Sequence, residues 1–563
     1  MKHKKQLAVT TFCIVIISFF GILSFRYSQI KPKLSKTAPP SHSTKTYTDK
    51  DLSKRTLQQN TADSSREEET TTVETPQIEA PKEQLQATPN SKKQTDIRET
   101  TTKEHVYYSL VSANDPGYAS DWAVQKVNAP AAWNISTGNG QTIVATIDTG
   151  FALNHDDLKN SWYLNPNENG ATKAGDKCWT GTPKDKDTNS CDDDNNGYVD
   201  DWRGWSFSAG DNNPMAGRTN PGGGSVAHGT QTSGLVGASG NNSTGITTIN
   251  WNTKIMPLQV LSDDGIGYTS DVAAAIYYAV DNGADTINMS LGGNEYDDAL
   301  KTATDYAYNH NVVVVAAAGN CGAGTEPNCS GLPAGIMGYP ALNDHVISVG
   351  ATTYSDQRAS FSSYGPDLDV VAPGSGTISS TTWTADNETS LYTSSLYGTS
   401  FASPQVASLA SLIKSIRPNS SVNDITALIL ANTTKLSDMN GSIYTNQLGH
   451  GLINASSALT VATALNSTAT TPKLLQTGGA ISEHSYKSTD TIGSGCNVVN
   501  DSYCSIWFRD DSNGHERYLP YQRTNQQGLA GWTWSGSILP TSSWQIKAVQ
   551  GDFQSSGYHL SAK

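Results

Sequence analysis

The middle of the chain alternates between two hydrophobic patterns. Continuous apolar runs bounded by Gly, Asp or Asn recur at Thr142–Asp148, Lys254–Val260, Thr286–Ser290, Val312–Ala318 and Val346–Ala351. Such runs read as strands buried on both faces, the signature of a parallel sheet. Between them lie segments with apolar positions every three or four residues, such as Asp271–Asp281 and the stretch through Val406, Leu409, Leu412 and Ile413. This alternation predicts an α/β fold over residues 106–465, three layers αβα with a mainly parallel central sheet. The pattern changes on either side. Residues 473–563 show short alternating runs with turn residues and Trp507, Trp532, Trp534 and Trp544, which predicts a small all-β domain after a Thr/Ser/Ala bridge at 466–472. Its aromatic residues are either core or a face for a surface ligand.

The amino end is different again. Lys2-His3-Lys4-Lys5 precedes an apolar run from Leu7 to Phe25, closed by Arg26. The run is long enough to span a bilayer and lacks an A-x-A cleavage site, so an uncleaved membrane anchor with its basic end inside is the first reading of 1–26. A signal peptide, cleaved to release a secreted protein, is the alternative. Either one exports the α/β domain. Residues 27–105 are rich in Ser, Thr, Lys, Glu, Gln and Pro, cannot bury a core and read as a disordered linker.

At 563 residues the chain has room for more than one domain, and its net charge of −14 argues against a nucleic-acid partner. Beyond Cys13 the cysteines fall into local pairs, Cys178/Cys191, Cys321/Cys329 and Cys496/Cys504. Disulfides at these spacings suit an oxidising, exported environment, although six cysteines allow fifteen connectivities.

Candidate chemistry sits at the ends of the buried runs. Gly398-Thr399-Ser400-Phe401-Ala402-Ser403-Pro404 places a serine between a strand end and an apolar helix, where free N–H groups and the helix dipole favour the oxyanion that serine attack creates. Serine needs a base. His228 heads a small-residue helix, Val226 to Val236, and Asp148 ends the Thr142–Asp148 strand, where open α/β sheets place their sites. A capping Ser, a structural His and a turn-forming Asp are the bland readings of each alone. Together their order, Asp then His then Ser, is that of one known triad arrangement.

With these motifs the chain resembles the subtilisin-type (subtilase) serine proteases, nearest the thermitase-like branch, over about residues 112–465. The resemblance implies a subtilisin-like fold and a serine endopeptidase acting on protein or peptide substrates. Ser400 would be the nucleophile, His228 the base and then acid, and Asp148 the group that orients the imidazole. Asn320, ending Val312–Asn320, would donate to the oxyanion. Ser290, Leu291 and Gly292 would bind an extended peptide as an added strand, with Ala317, Ala318 and Gly319 opposite and Gly338 at the pocket base. Phe401, Gln405 and Ser408 stand where the family usually has Met, His and Gly. A folded inhibitory propeptide, common in the family, is not recognisable in the linker. A non-catalytic binding scaffold would be expected to have lost a triad member, and none is missing.

Calcium is the expected cofactor, in a structural role. Asp192, Asp194 and Asn196, with Gly197 and Tyr198, follow the first half of an EF-hand-type loop. Arg203 replaces the closing glutamate, so Asp200 or Asp201 must complete the site. The resemblance implies a second site from Asp115, Asp157 and Asn242.

Overall fold

The computed structural model describes residues 111–563 apart from 326–328, 330, 377–379, 466–472, 476–484, 487–490, 499–501, 513, 525–528, 536–542, 551–552, 556–557 and 563. The anchor or signal segment, the linker and the 466–472 bridge lie outside the described residues.

The apolar runs form the strands of one sheet: β1 (Ile143–Asp148), β2 (Trp205–Ser206), β3 (Lys254–Gln259), β4 (Thr286–Met289), β5 (Val313–Ala317), β6 (Val346–Thr353) and β7 (Val370–Gly376). They pair in parallel in the order β7-β6-β5-β4-β1-β3-β2, and Leu396–Tyr397 adds antiparallel to β7. The fold class is therefore the expected α/β sheet with helices on both faces.

Strand alternation sorts the core into two layers. Val144, Ile255, Val313 and Val315 pack with helices α1 (His228–Gly237), α4 (Ser403–Ile416), α5 (Val422–Leu430) and α6 (Ala455–Ala464). Ala145, Met256, Val314 and Ala316 face α2 (Thr269–Asp281) and α3 (Asp298–Asn309). Each fully buried Val, Ile, Leu or Met side chain contributes about 1.5–3 kcal/mol. Side chains cap three of these six helices: Asp297 accepts from Leu300 N, Ser421 from Asp424 N and Asn454 from Ser457 N.

Strand order reverses around β1, which lies between β3 and β4. The carboxyl ends of β1, β4 and β5 thus open onto one crevice at the topological switch point.

The carboxyl-terminal residues form two further sheets. One joins Lys473–Leu475, Thr491–Asn497 and Leu529–Ser535. The other joins Ser485–Tyr486, Tyr558–Ala562, Ser543–Gln550, Tyr503–Asp510 and Glu516–Tyr518. Trp532 and Trp544 lie in their apolar core. Trp507, Tyr518, Tyr521 and Val549 instead join the apolar cluster of the α/β domain, so the two regions share buried surface. All three cysteine pairs are disulfide-bonded as their spacing suggested.

Candidate active site

Asp148 ends β1, fully buried. Its Oδ1 faces His228 Nδ1 at 2.7 Å and accepts the Thr149 N–H at 2.7 Å, while its Oδ2 accepts the Thr232 hydroxyl at 3.0 Å. His228 reaches it because α1 begins close against the β1 turn. A Cβ at Gly229 would stand 2.4 Å from the Gly150 carbonyl, so that position needs glycine. Burial alone would push the His228 pKa down; the field of Asp148 and the hydrogen bond outweigh it, and the net direction is up.

Ser400 lies in a turn of 3₁₀ helix, Thr399–Phe401, that leads into α4. Its hydroxyl donates to the Ser290 carbonyl at 3.1 Å, and among the described residues it forms no hydrogen bond with His228. The Ser290 hydroxyl returns a bond to the Ser400 carbonyl at 2.8 Å, tying the end of β4 to the serine turn. Asn320 is fixed from the same turn: its Oδ1 accepts from Thr399 N at 2.9 Å and Thr399 Oγ1 at 3.1 Å. That leaves the amide NH₂ as the donor end.

Asn320 and Ser400 line one cleft of about 350 Å³ with Leu291, Gly292, Ala317, Gly319 and Gly338. Of the residues expected to contact substrate, Ser290 sits beneath the serine turn and Ala318 lies buried behind the cleft, its carbonyl accepting Gly338 N at 3.1 Å. Gly293, the second glycine after Ser290-Leu291, lines the cleft too, as do Asn294 and Ile336, which no sequence pattern had marked. The Cys321–Cys329 disulfide forms part of the wall next to Asn320.

The departures near the serine are absorbed locally. The Phe401 ring packs 5.6 Å from the His228 ring. Gln405 donates to the carbonyls of Pro373 and Phe401, and the Ser408 hydroxyl accepts from Asn250 N at 3.1 Å.

Residues 139–451 match the subtilase family of peptidases. The chain belongs to the subtilase family. It is 36% identical over 325 residues to thermitase from Thermoactinomyces vulgaris, spanning 58% of this chain and 92% of that protein. It is 42% identical over 231 residues to Subtilisin DY from Bacillus licheniformis, spanning 41% of this chain and 77% of that one. An extracellular protease of Xanthomonas campestris is 31% identical over 394 residues, 67% of this chain and 61% of the relative. The subtilase is accordingly a serine endopeptidase whose substrates are proteins or peptides.

Away from the cleft this subtilase gathers acidic groups in two places. Carboxylate oxygens of Glu168, Asp192 and Asp194 lie within 4.8 Å of one another. Asn165 donates to both Asp194 and Asp201, and Asn196 does the same. Asp200 is turned elsewhere: both its oxygens accept from Ser190 N, at 3.0 and 3.1 Å. Of the two alternatives, Asp201 rather than Asp200 belongs to the network, and Glu168, far upstream in the loop, had no spacing signal. Asn196 Oδ1 is engaged by Tyr198 N at 2.7 Å. Burial and the charges of Asp201 and Asp194 push the Glu168 pKa up to about 7, and its buried Oε2 finds no partner among the described residues.

In the second place, Asp115 accepts from Asn241 N and Asn242 N at 2.7 and 3.1 Å. Asp157 accepts from Asn242 Nδ2 and Ile246 N, each at 2.9 Å. One loop therefore joins both carboxylates. Burial, with Asp115 and Asp156 nearby, raises the Asp157 pKa to about 7.

Proposed function

We propose that this subtilase hydrolyses peptide bonds through Asp148, His228 and Ser400, with Asn320 in the oxyanion site. The observation that carries the reading is the 2.7 Å Asp148–His228 contact beside a cleft lined by both Ser400 and Asn320. In the reaction, Ser400 Oγ leaves Ser290 and turns to His228, the kind of tightening substrate brings to apo geometry. His228 Nε2 takes the hydroxyl proton as Oγ adds to the scissile carbonyl carbon. The Asn320 amide and the Ser400 N–H receive the oxyanion. The imidazolium then protonates the departing amine, leaving an acyl-Ser400. Water, deprotonated by His228, adds to the ester; as the intermediate collapses, the proton returns to Ser400 and the acid is released. Asp148 holds the imidazole and stabilises its cation throughout.

We further propose calcium as a structural ion. Glu168, Asp192, Asp194 and Asp201 suit one site: their carboxylates converge, and Glu168 among them is buried, with a raised pKa and an oxygen that finds no partner among the described residues, which favours a hard cation with oxygen ligands. Asp115, Asp157 and Asn242 suit a second. Binding there stabilises the native state over the unfolded chain. Secretion is favoured over membrane tethering, because a similar protein is named an extracellular protease. The carboxyl-terminal sheets are read as a docked module, a role supported by their shared apolar cluster with the α/β domain. Residues 106–465 and 473–563 remain the proposed domain limits.

The test is casein cleavage by the purified protein, with fluorophosphonate labelling, beside Ser400→Ala. Loss of both signals in the variant is expected; a variant that still cleaves sinks the reading.

A further inference from the structure

We propose that Thr232 is a positioning residue for the hydrolysis: its hydroxyl fixes the Asp148 carboxylate and tempers the negative charge that His228 faces. The inference rests on the triad reading above and adds a residue to it.

Thr232 lies one helical turn after His228 in α1, on the same face, and is fully buried. The two side chains grip opposite oxygens of one carboxylate, His228 at Oδ1 and Thr232 at Oδ2. Thr149 N adds to Oδ1, so Thr232 is the donor that satisfies Oδ2 among the described residues. A hydroxyl carries one proton. Its other neighbour is the Gly229 carbonyl at 3.1 Å, which lies in the first turn of α1, where the helix offers it the Ser233 N–H. The carboxylate is the stronger acceptor, because a charged partner shortens and strengthens the bond. Threonine is also a weaker helix former than alanine, so backbone preference does not account for it here.

His228 is affected in two ways. With both oxygens held, the carboxylate cannot rotate, and the Oδ1 lone pair stays aimed at Nδ1. In addition, a donor at Oδ2 disperses the charge that stabilises the imidazolium. Among the described residues, the lysines on elements packed against α1 are engaged elsewhere: Lys254 of β3 donates to the Asn160 carbonyl, and Lys414 of α4 to the Asn311 and Ser420 carbonyls. Ser380 and Thr381 donate to the carbonyls of Gln231 and Thr230, Gln231 donates to Thr382, and Phe401 presents its ring. Asp148 is the charge acting on His228.

The experiment is the pH profile of kcat/KM for a peptide p-nitroanilide, using the full chain and its Thr232→Val, Thr232→Ser and Thr232→Cys variants. Fluorophosphonate titration sets the active concentration, so any misfolded fraction drops out. Thr232→Val should move the acid limb upward by roughly half a pH unit or more. Thr232→Ser, which keeps the donor, should restore the wild-type position. Thr232→Cys, a weaker donor, should fall between them and serves if the Val variant yields no titratable enzyme. Superposed limbs for wild type and the Val variant (or the Cys variant in its place) overturn the proposal, as does a Ser variant displaced like Val. His228→Ala separates the two readings. If it cleaves at the wild-type rate, the base assignment falls and this one with it; if it is inactive while the limbs superpose, only the Thr232 assignment falls.

Discussion

The side-chain oxygen of Asn320 is held by Thr399, through the backbone N–H at 2.9 Å and the hydroxyl at 3.1 Å. Thr399 is the residue before Ser400, so the proposed nucleophile and the proposed oxyanion donor are set by one turn of chain. The Thr399 hydroxyl also accepts the Gly319 N–H at 3.2 Å, which locks the end of β5 to that turn.

Asn320→Leu is therefore expected to lower kcat by about 10²–10³ while KM changes little, because the amide acts on charge that exists only in the transition state. The magnitude is that known for a subtilisin donor, carried over to this chain. Thr399→Val keeps the backbone N–H and should cost less, about tenfold in kcat. Steady-state kinetics on a peptide p-nitroanilide checks both; a KM effect without a kcat effect would place Asn320 in ground-state binding instead.

The raised His228 pKa fixes the shape of the pH profile. A general base must be neutral, so kcat/KM should climb through a value above the ordinary histidine figure of about 6.5 and level off beyond it. The stability contribution runs the other way. The imidazolium–carboxylate pair supports the fold fully below about pH 6.5 and is lost as pH rises through the raised folded value. Asp148→Asn removes the charge that outweighs burial, so the acid limb should move down. An amide also presents the wrong partner to Nδ1, and kcat should fall by about 10⁴. An acid limb that stays put in Asp148→Asn would mean that another group titrates there.

Much of this arrangement was legible in the sequence, for physical reasons that differ by residue. Asp148, His228 and Ser400 each sit at the end of a buried strand or the head of a helix, and those boundaries show in the hydrophobic pattern. The sheet followed from uninterrupted apolar runs. The short β2 and the proline-containing β7 carry no comparable run and emerged only through pairing with β3 and β6. Ile336 and Asn294 reach the cleft through irregular backbone, which has no period to read. Glu168 stands 24 residues before Asp192 and joins it by accepting Asp194 N at 2.9 Å, a contact that depends on how the loop folds back. The choice between Asp200 and Asp201 turned on backbone conformation: Asp200 has φ 53° and spends its carboxylate on Ser190 N.

That difference makes the calcium proposal discriminating. Chelator should lower Tm, since an ion at a hundredfold its Kd contributes about 2.7 kcal/mol per site to the native state. Glu168→Gln should reduce the calcium-dependent gain while raising the Tm of the chelated protein, because the amide removes like-charge repulsion within the carboxylate cluster. Asp200→Asn should leave the calcium response close to wild type. Thermal melts with calcium and with chelator decide it: equal calcium responses in the Glu168 variant and wild type would remove Glu168 from the site.

The carboxyl-terminal sheets should melt together with the protease domain. Trp507, Tyr518, Tyr521 and Val549 lie in the same apolar cluster as the α4–α6 layer. The Arg517 guanidinium stacks 3.5 Å over the Tyr444 ring, and Tyr518 N donates to His450 Nε2 at 3.3 Å. That second bond needs a neutral imidazole. Burial, with Lys435 and Arg517 nearby, holds the His450 pKa well below 6.5. A depressed histidine contributes stability that is lost as pH falls below its unfolded value of about 6.5, so the docked state should weaken on acidification. Trp507→Ala, which empties a buried ring position, should cost about 3–5 kcal/mol. Calorimetry of the full chain is expected to show one cooperative transition for the protease domain and the carboxyl-terminal sheets in wild type, split or displaced downward in the variant. Two independent transitions in wild type, with the protease transition unmoved by Trp507→Ala, would mean that the shared cluster does not couple the two regions.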